Sequence, residues 1–236
     1  MSISLAILPK VSQLNSVSDK TMRIIQVDLD KDYAEAIQEA VNVLNNGGVV
    51  VYPTDTLYGL GANALNADAV EKVFAIKGRE LSKPLPVIVK NLIWADELVH
   101  ISSRNKKILK KVWPGKFTAV LPKRSIIPHV VNSGATSLGI RIPDFVFTDK
   151  LLGRFGYPLT STSANVSGHE PTNDIDKIIQ IFLKRAVRPD LVIDAGILPK
   201  SEPSIIVDLT TSKPKVLRIS PTTPEKLIKL LDITNS

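Results

Sequence analysis

Four apolar residues in a row, Val49-Val50-Val51-Tyr52, run straight into Pro53. Three of them are β-branched, so the run reads as a strand. A strand without polar alternation must be covered on both faces. This constrains the chain more than any other feature: it needs a sheet with helices laid over it. The flanking segments supply them. In "KDYAEAIQEAVNVLNNGG" Tyr33, Ile37, Ala40, Val41 and Leu44 fall on one helical face, and Asn46-Gly47 ends the pattern. "NADAVEKVFAIKG" predicts a second helix, capped by Asn66, with Val70, Val73 and Phe74 inward and Gly78 as its stop.

The same rhythm continues. Further strands are predicted at residues 24–27, 86–89, 117–121, 138–142, 191–193, 205–209 and 215–219, and 158–162 reads as a strand-to-loop junction with its strand at 158–160. Further helices are predicted at 102–113, 144–156, 174–185 and 223–231, with helical turns after residue 89. Several strand pairs have no helix between them, so the expected fold class is α/β with one mixed β-sheet and flanking helices. Residues 1–22 read as an N-terminal extension and 23–236 as a single domain, with 199–203 as a flexible connection in it.

Composition removes several chemistries. There is no cysteine, which excludes a disulfide framework, a zinc ribbon and a thiol nucleophile together. His100, His129 and His169 lie far apart and lack the spacing of paired metal ligands. The apolar run 3–8 is too short for a signal-peptide core or a membrane span, and no later run qualifies, so a cytoplasmic protein without membrane contact is expected. The net charge of +7, from 30 Lys+Arg against 23 Asp+Glu, favours an anionic partner: a nucleotide, a phosphate or a nucleic acid. Part of that excess lies in "SSRNKKILKKVW", where Ile108, Leu109 and Val112 face inward and the basic residues form a solvated face.

The stretch after the first buried strand, "PTDTLYGLGANA", contains G-x-G-x-x-A at Gly59–Ala64. In a dinucleotide fingerprint those glycines occupy the first turn after the strand. Here "PTDTLY" intervenes, and the match is set aside. Neither G-x-S-x-G nor a P-loop is present. The stretch reads instead as a substrate-cradling loop, in which Thr54 and Thr56 offer hydroxyls and Gly59 and Gly61 admit a ligand close to the backbone. A turn stabilised by the Asp55 side chain would account for Pro53-Thr54-Asp55 alone, but not for the similar character of later loops. Lys77, Arg79 and Lys83 gather at a helix end and the loop behind it. Arg141 stands between Ile140 and Ile142 in a strand, so it points to the opposite face, where it needs an anion or water. "TSTSANVSG" carries Ser161, Ser163, Asn165 and Ser167. Ser204 opens "PSIIVD", and Arg218 sits in "VLRIS". Brought to one sheet face, these groups would line a basic concave pocket suited to a nucleoside triphosphate and a small polar molecule.

Taken in order, "YPTDTLYGLGANA", "KGRELSKPLPVIV", "WPGKFTAVL", "GIRIP", "STSANVSG", "PSIIVD" and "VLRIS" resemble the YrdC family of L-threonylcarbamoyladenylate synthases, over about residues 37–220. The resemblance implies a twisted mixed α/β sheet around a basic concave cavity. It implies that L-threonine, bicarbonate and ATP, with Mg²⁺ on the phosphates, give L-threonylcarbamoyl-AMP and pyrophosphate. Partner threonylcarbamoyltransferase proteins then modify an adenosine next to the anticodon of tRNA. By position, Thr56 matches a threonine contact. Lys77, Arg79, Ser163 and Asn165 match the K-x-R and S-x-N signature at the nucleotide end, with Lys77 and Arg79 catalytic. Lys83 falls where the following loop approaches ATP. Ser137 and Arg141 match the strand that holds nucleotide and threonine carboxylate respectively; Ser161 and Ser204 match further threonine contacts, and Arg218 a nucleotide contact. Longer relatives carry a second domain, and this chain looks like the short, single-domain form. Two other readings remain open at this point. One is a non-catalytic module that contacts tRNA or double-stranded RNA through its basic surface. The other is the related carbamoyl-transfer domain of hydrogenase-maturation proteins, against which the missing zinc-finger cysteines count.

Overall fold

The computed structural model describes residues 21–219. In chain order these form β1 (Arg23–Gln26), α1 (Ala34–Asn45), β2 (Val50–Tyr52), β3 (Gly59–Gly61), α2 (Ala67–Lys77), β4 (Val87–Ile88), α3 (Leu92–Leu98), α4 (Ser103–Val112), β5 (Phe117–Pro122) and β6 (Ser137–Arg141). Then come α5 (Val146–Phe155), β7 (Leu159–Thr160), β8 (Thr162–Ser163), α6 (Ile175–Leu183), β9 (Leu191–Asp194), β10 (Ile205–Asp208) and β11 (Lys215–Arg218). The helix predicted at 223–231 and nearly all of the extension 1–22 lie outside the described residues.

Local chemistry sets the helix ends. The Asn66 side chain accepts from the Ala69 N–H at the start of α2, and Gly78 closes that helix with φ at 59°. Asn91, Ser102 and Asp174 cap α3, α4 and α6 in the same way. On α1 the predicted inward residues are buried, and Tyr33 just before it meets Phe147 of α5 with ring centroids 5.3 Å apart.

The expected single mixed sheet is two. One has five strands in the order β1-β9-β2-β3-β8, the other six in the order β11-β10-β5-β6-β4-β7; both mix parallel and antiparallel pairs. The cause is a corner at the predicted strand-to-loop junction 158–162, beyond which the chain enters a second strand instead of a loop. Thr160 ends β7, which pairs with β4 in the larger sheet, and Thr162 begins β8, which pairs with β3 in the smaller one. Ser161 is the residue between them. Its N–H is held by the Pro86 carbonyl at 2.8 Å, while the Thr160 N–H and the Ala62 carbonyl, 2.9 Å apart, stitch β7 to the end of β3.

The glycines read as a ligand-cradling loop belong to β3. A Cβ on Gly61 would stand 2.3 Å from the Thr160 carbonyl oxygen and 3.0 Å from the Tyr52 ring; one on Gly59 would stand 2.9 Å from the same ring. Protein atoms therefore use the space that the missing side chains leave. The glycines allow Tyr52, paired with Gly59 across the strands, to lie flat, and allow β7 to come close.

The six-stranded sheet follows the period of two. Val87, Phe117, Ala119, Leu121, Leu138, Ile140, Ile205 and Val207 are buried and form its core face. The alternate positions carry Thr118, Ser137, Gly139 and Arg141, and so turn polar groups to the other face.

Candidate functional site

Strand register lays a line of residues across the polar face. Leu159 pairs with Ile88 and Ile88 with Arg141. The pairing of Ala119 with Ile140 sets Thr118 opposite Arg141, and Thr118 is in register with Ile206, which pairs with Arg218. Arg141 and Arg218 thus come from separate strands into one row. Ser204, just before β10, completes it. Its hydroxyl lies 2.9 Å from that of Thr118, and the Arg218 guanidinium folds over it, donating from Nε and Nη2 to its carbonyl at 2.9 and 2.7 Å and from Nη2 to its Oγ at 3.0 Å.

The Pro53–Thr56 turn, which leaves β2, reaches the other end of this row. Asp55 and Arg141 form a salt bridge with each side chain only 10% exposed. Arg141 Nη2 donates to both Asp55 oxygens, at 2.6 and 2.8 Å, and Nε donates to the Gly115 carbonyl at 2.9 Å. Nη1 makes a long 3.5 Å approach to the Thr56 hydroxyl. Burial works against the charge of Arg141, and Asp55 opposes that effect. Of the partners the sequence left open for Arg141, an anion or water, the fold supplies an anion from the chain itself. The turn is braced from within. Thr54 Oγ1 donates to the Leu57 carbonyl at 2.6 Å and accepts the Thr56 N–H at 3.1 Å, and the two threonine hydroxyls are 3.1 Å apart.

Ser161 is half-buried at the corner between the sheets and faces Tyr52, whose phenol burial pushes up so that it keeps its proton. Ser137 is half-buried at the start of β6, on the same face as Arg141 but about 13 Å along the strand.

The K-x-R and S-x-N residues meet as well. Lys77 is 2% exposed, and its ammonium donates to the Ser163 carbonyl (2.7 Å), the Asn165 carbonyl (2.8 Å) and Asn165 Oδ1 (2.9 Å). All three of its protons have protein acceptors. Ser163 Oγ donates to Asn165 Oδ1 at 2.6 Å, and Asn165 Nδ2 to the His169 carbonyl. Burial, then the charge of Arg79, push Lys77 down to about 7. Arg79 turns onto its own loop, with Nε and Nη2 on the Lys83 and Pro84 carbonyls at 3.1 and 3.0 Å. Lys83 lies outside this network: its side chain is 59% exposed and pairs with Glu80 at 3.2 Å.

Two residues of this arrangement were not singled out from the sequence as site residues: Thr118, and Asp55 as the partner of Arg141. Thr118 had a signal, a hydroxyl inside the apolar run "FTAVL", where alternation puts it on the face of Arg141. Asp55 had none beyond lying in the turn, because its partner is 86 positions away. The three histidines are exposed, and among the described residues no group of three or more His, Cys, Asp or Glu is placed to hold a metal ion. No helix among them is long and apolar enough to cross a membrane.

The family model Sua5/YciO/YrdC, described as "telomere recombination", matches residues 42–220. The chain belongs to the Sua5/YciO/YrdC family. A Methanocaldococcus jannaschii relative is 36% identical over 197 residues, 84% of this chain and 91% of its own. A Coxiella burnetii threonylcarbamoyl-AMP synthase is 32% identical over 191 residues, 80% of this chain and 99% of its own. Among solved structures, Pyrococcus abyssi Sua5 complexed with L-threonine superposes with a TM-score of 0.81 at 28% identity, over 89% of this chain. This chain spans 61% of that Sua5 protein. The mixed α/β fold that the YrdC resemblance implied is therefore the fold of the family members in hand.

Proposed function

We propose that this chain is an L-threonylcarbamoyladenylate synthase. It would make L-threonylcarbamoyl-AMP and pyrophosphate from L-threonine, bicarbonate and ATP, for transfer to tRNA by partner threonylcarbamoyltransferase proteins in the cytoplasm. The observation that carries the reading is the row Arg141–Thr118–Ser204–Arg218 meeting the Thr54–Thr56 turn, in a family whose curated relatives are named for this reaction.

The residues suit two anions held side by side. Arg141 and the hydroxyls of Thr56, Ser161 and Ser204 form the amino-acid end. Arg79, Ser137, Ser163, Asn165 and Arg218 form the nucleotide end, with Lys77 fixing the loop that presents Ser163 and Asn165. Lys83, which pairs with Glu80 at the surface, would join them only by swinging inward. In this scheme the threonine nitrogen first bonds to the carbon of bicarbonate-derived CO2 and loses a proton, giving an N-carboxylate. One oxygen of that carboxylate attacks the α-phosphorus, and the bond to pyrophosphate breaks. Reactants of like charge must be neutralised and aligned, so positioning and electrostatics supply the rate. Asp55 is engaged by Arg141 and offers no open carboxylate for a metal. Mg²⁺ would instead arrive on ATP and neutralise its phosphates.

The test is pyrophosphate release by the purified chain with Mg-ATP, omitting L-threonine and bicarbonate in turn. Release that needs both is the expected result. Release indifferent to threonine would overturn the reading and favour an RNA-binding module, whose affinity should fall steeply with salt.

A further inference from the structure

Arg141 has five N–H groups, and the fold has already assigned most of them. Nε serves Gly115, Nη2 is shared between the two oxygens of Asp55, and Nη1 lies beside the Thr56 hydroxyl. Nη2 belongs to both forked edges of the guanidinium, so a carboxylate that takes the two-armed grip on Arg141 must share that nitrogen with Asp55. Asp55 is not built to leave. Its carbonyl accepts the Ser201 hydroxyl at 3.1 Å, the Thr54 and Thr56 bonds lock the residues on either side, and its carboxylate is almost fully buried against its partner. An expelled Asp55 would be a buried charge without a counterion.

We infer that Asp55 is the positioning residue of the amino-acid end of the site. It fixes the plane of Arg141 and reserves Nη2, so that a ligand carboxylate is read by Nη1 together with the Thr56 hydroxyl. This rests on the synthase reading above. Thr56 is ready for that role. The Thr54 proton is committed to the Leu57 carbonyl, so the Thr56 hydroxyl donates to Thr54 Oγ1 while no ligand is bound. A short rotation redirects that proton to an arriving carboxylate oxygen. The pairing also offsets part of the charge of Arg141 locally, so the amino-acid end selects by direction as well as by net charge. The positive potential comes from Arg218, which lies close enough to Arg141 to feel its charge.

The experiment is steady-state pyrophosphate release by the full chain, with L-threonine and ATP varied separately, for wild type and Asp55→Asn. The substitution keeps the shape and removes one acceptor and the charge, which frees Arg141 to rotate. The expected result is a rise of about tenfold in KM for threonine, with KM for ATP changed by less than about twofold. A threonine KM that stays the same overturns the inference. So does a lower one, which would make Asp55 a competitor that substrate displaces. A fall in kcat alone, or equal rises in both KM values, would reduce Asp55 to a structural role and overturns it too. If Asp55→Asn does not fold, Asp55→Glu keeps the charge pair while shifting Nη2, and the same threonine-only rise is expected at smaller size. Wild-type release without threonine dependence would sink the synthase reading and this inference with it; normal wild-type behaviour with an indifferent Asp55→Asn sinks the inference alone.

Discussion

Replacing Lys77 by methionine removes a buried ammonium and leaves its neighbours to be accounted for one by one. The Ser163 carbonyl keeps the Asn165 N–H at 2.9 Å, and Asn165 Oδ1 keeps the Ser163 hydroxyl at 2.6 Å. The Asn165 carbonyl keeps nothing among the described residues, because Lys77 was its partner. One orphaned carbonyl and the loss of bonds to a charged donor amount to about 2–4 kcal/mol. In a chain of this size that is a fall of about 4–16 °C in thermal midpoint. The pH dependence adds a second signature. The folded-state value of about 7 lies below the 10.5 of an unperturbed lysine. The unfolded chain therefore binds a proton that the folded one has lost. The cost of burying the charge is fully present below pH 7 and is lifted as pH rises through the interval up to about 10.5. The stability gap between wild type and Lys77→Met should widen from pH 7 to 9 by up to about 1.4 kcal/mol per unit. Thermal unfolding at pH 7, 8 and 9, with hydrogen exchange across residues 163–169, measures both. An unchanged midpoint with unchanged exchange would refute the clamp. A gap flat with pH would show that the three oxygen acceptors hold the proton on Lys77 against burial.

Three further outcomes are expected. Thr118→Val keeps the shape and removes the hydroxyl that meets Ser204; kinetics should show a threonine KM raised by about fivefold, roughly one lost hydrogen bond, with ATP unaffected. Gly61→Ala forces a methyl against the Thr160 carbonyl and the Tyr52 ring, and denaturant unfolding should register a loss of about 2–4 kcal/mol. Reversing Lys106, Lys107, Lys110 and Lys111, all exposed on α4, to glutamate should leave threonine-dependent pyrophosphate release intact; its loss would bring this face into the reaction.

The fold was legible where periodicity is long and punctuated. α1, α2, α4 and α6 carry an apolar face, and a cap or stop at their ends, within the helix itself, so local sequence decides them. The two-sheet division was not legible. It depends on a single corner at Ser161, where two strands of two residues each choose different partners, and nothing local distinguishes that from one strand running out into a loop. The glycines of β3 misled for a related reason. Gly59 and Gly61 look like room for a ligand until Tyr52 is known to lie across them. In the site, residue types announced themselves and partners did not. Arg141 between two isoleucines called for an anion or water, but only the fold could say that it is an anion and that Asp55 supplies it. Lys77 at a helix end looked like a free cation until burial gave each of its protons an acceptor.

The row across the six-stranded sheet bears on how activity appears during synthesis. Its members come from β7, β4, β6, β5, β10 and β11, so the line is complete only when the strand that carries Arg218 has docked against Ser204. A nascent chain that has released the Thr54–Thr56 turn, Lys77 and Arg141 holds most of the polar residues and no assembled row. Domains form from the N-terminus as the chain emerges, yet this row is closed by β11, the last strand among the described residues. The row is therefore assembled in a late step, and a nascent chain that has not yet released β11 has no complete row.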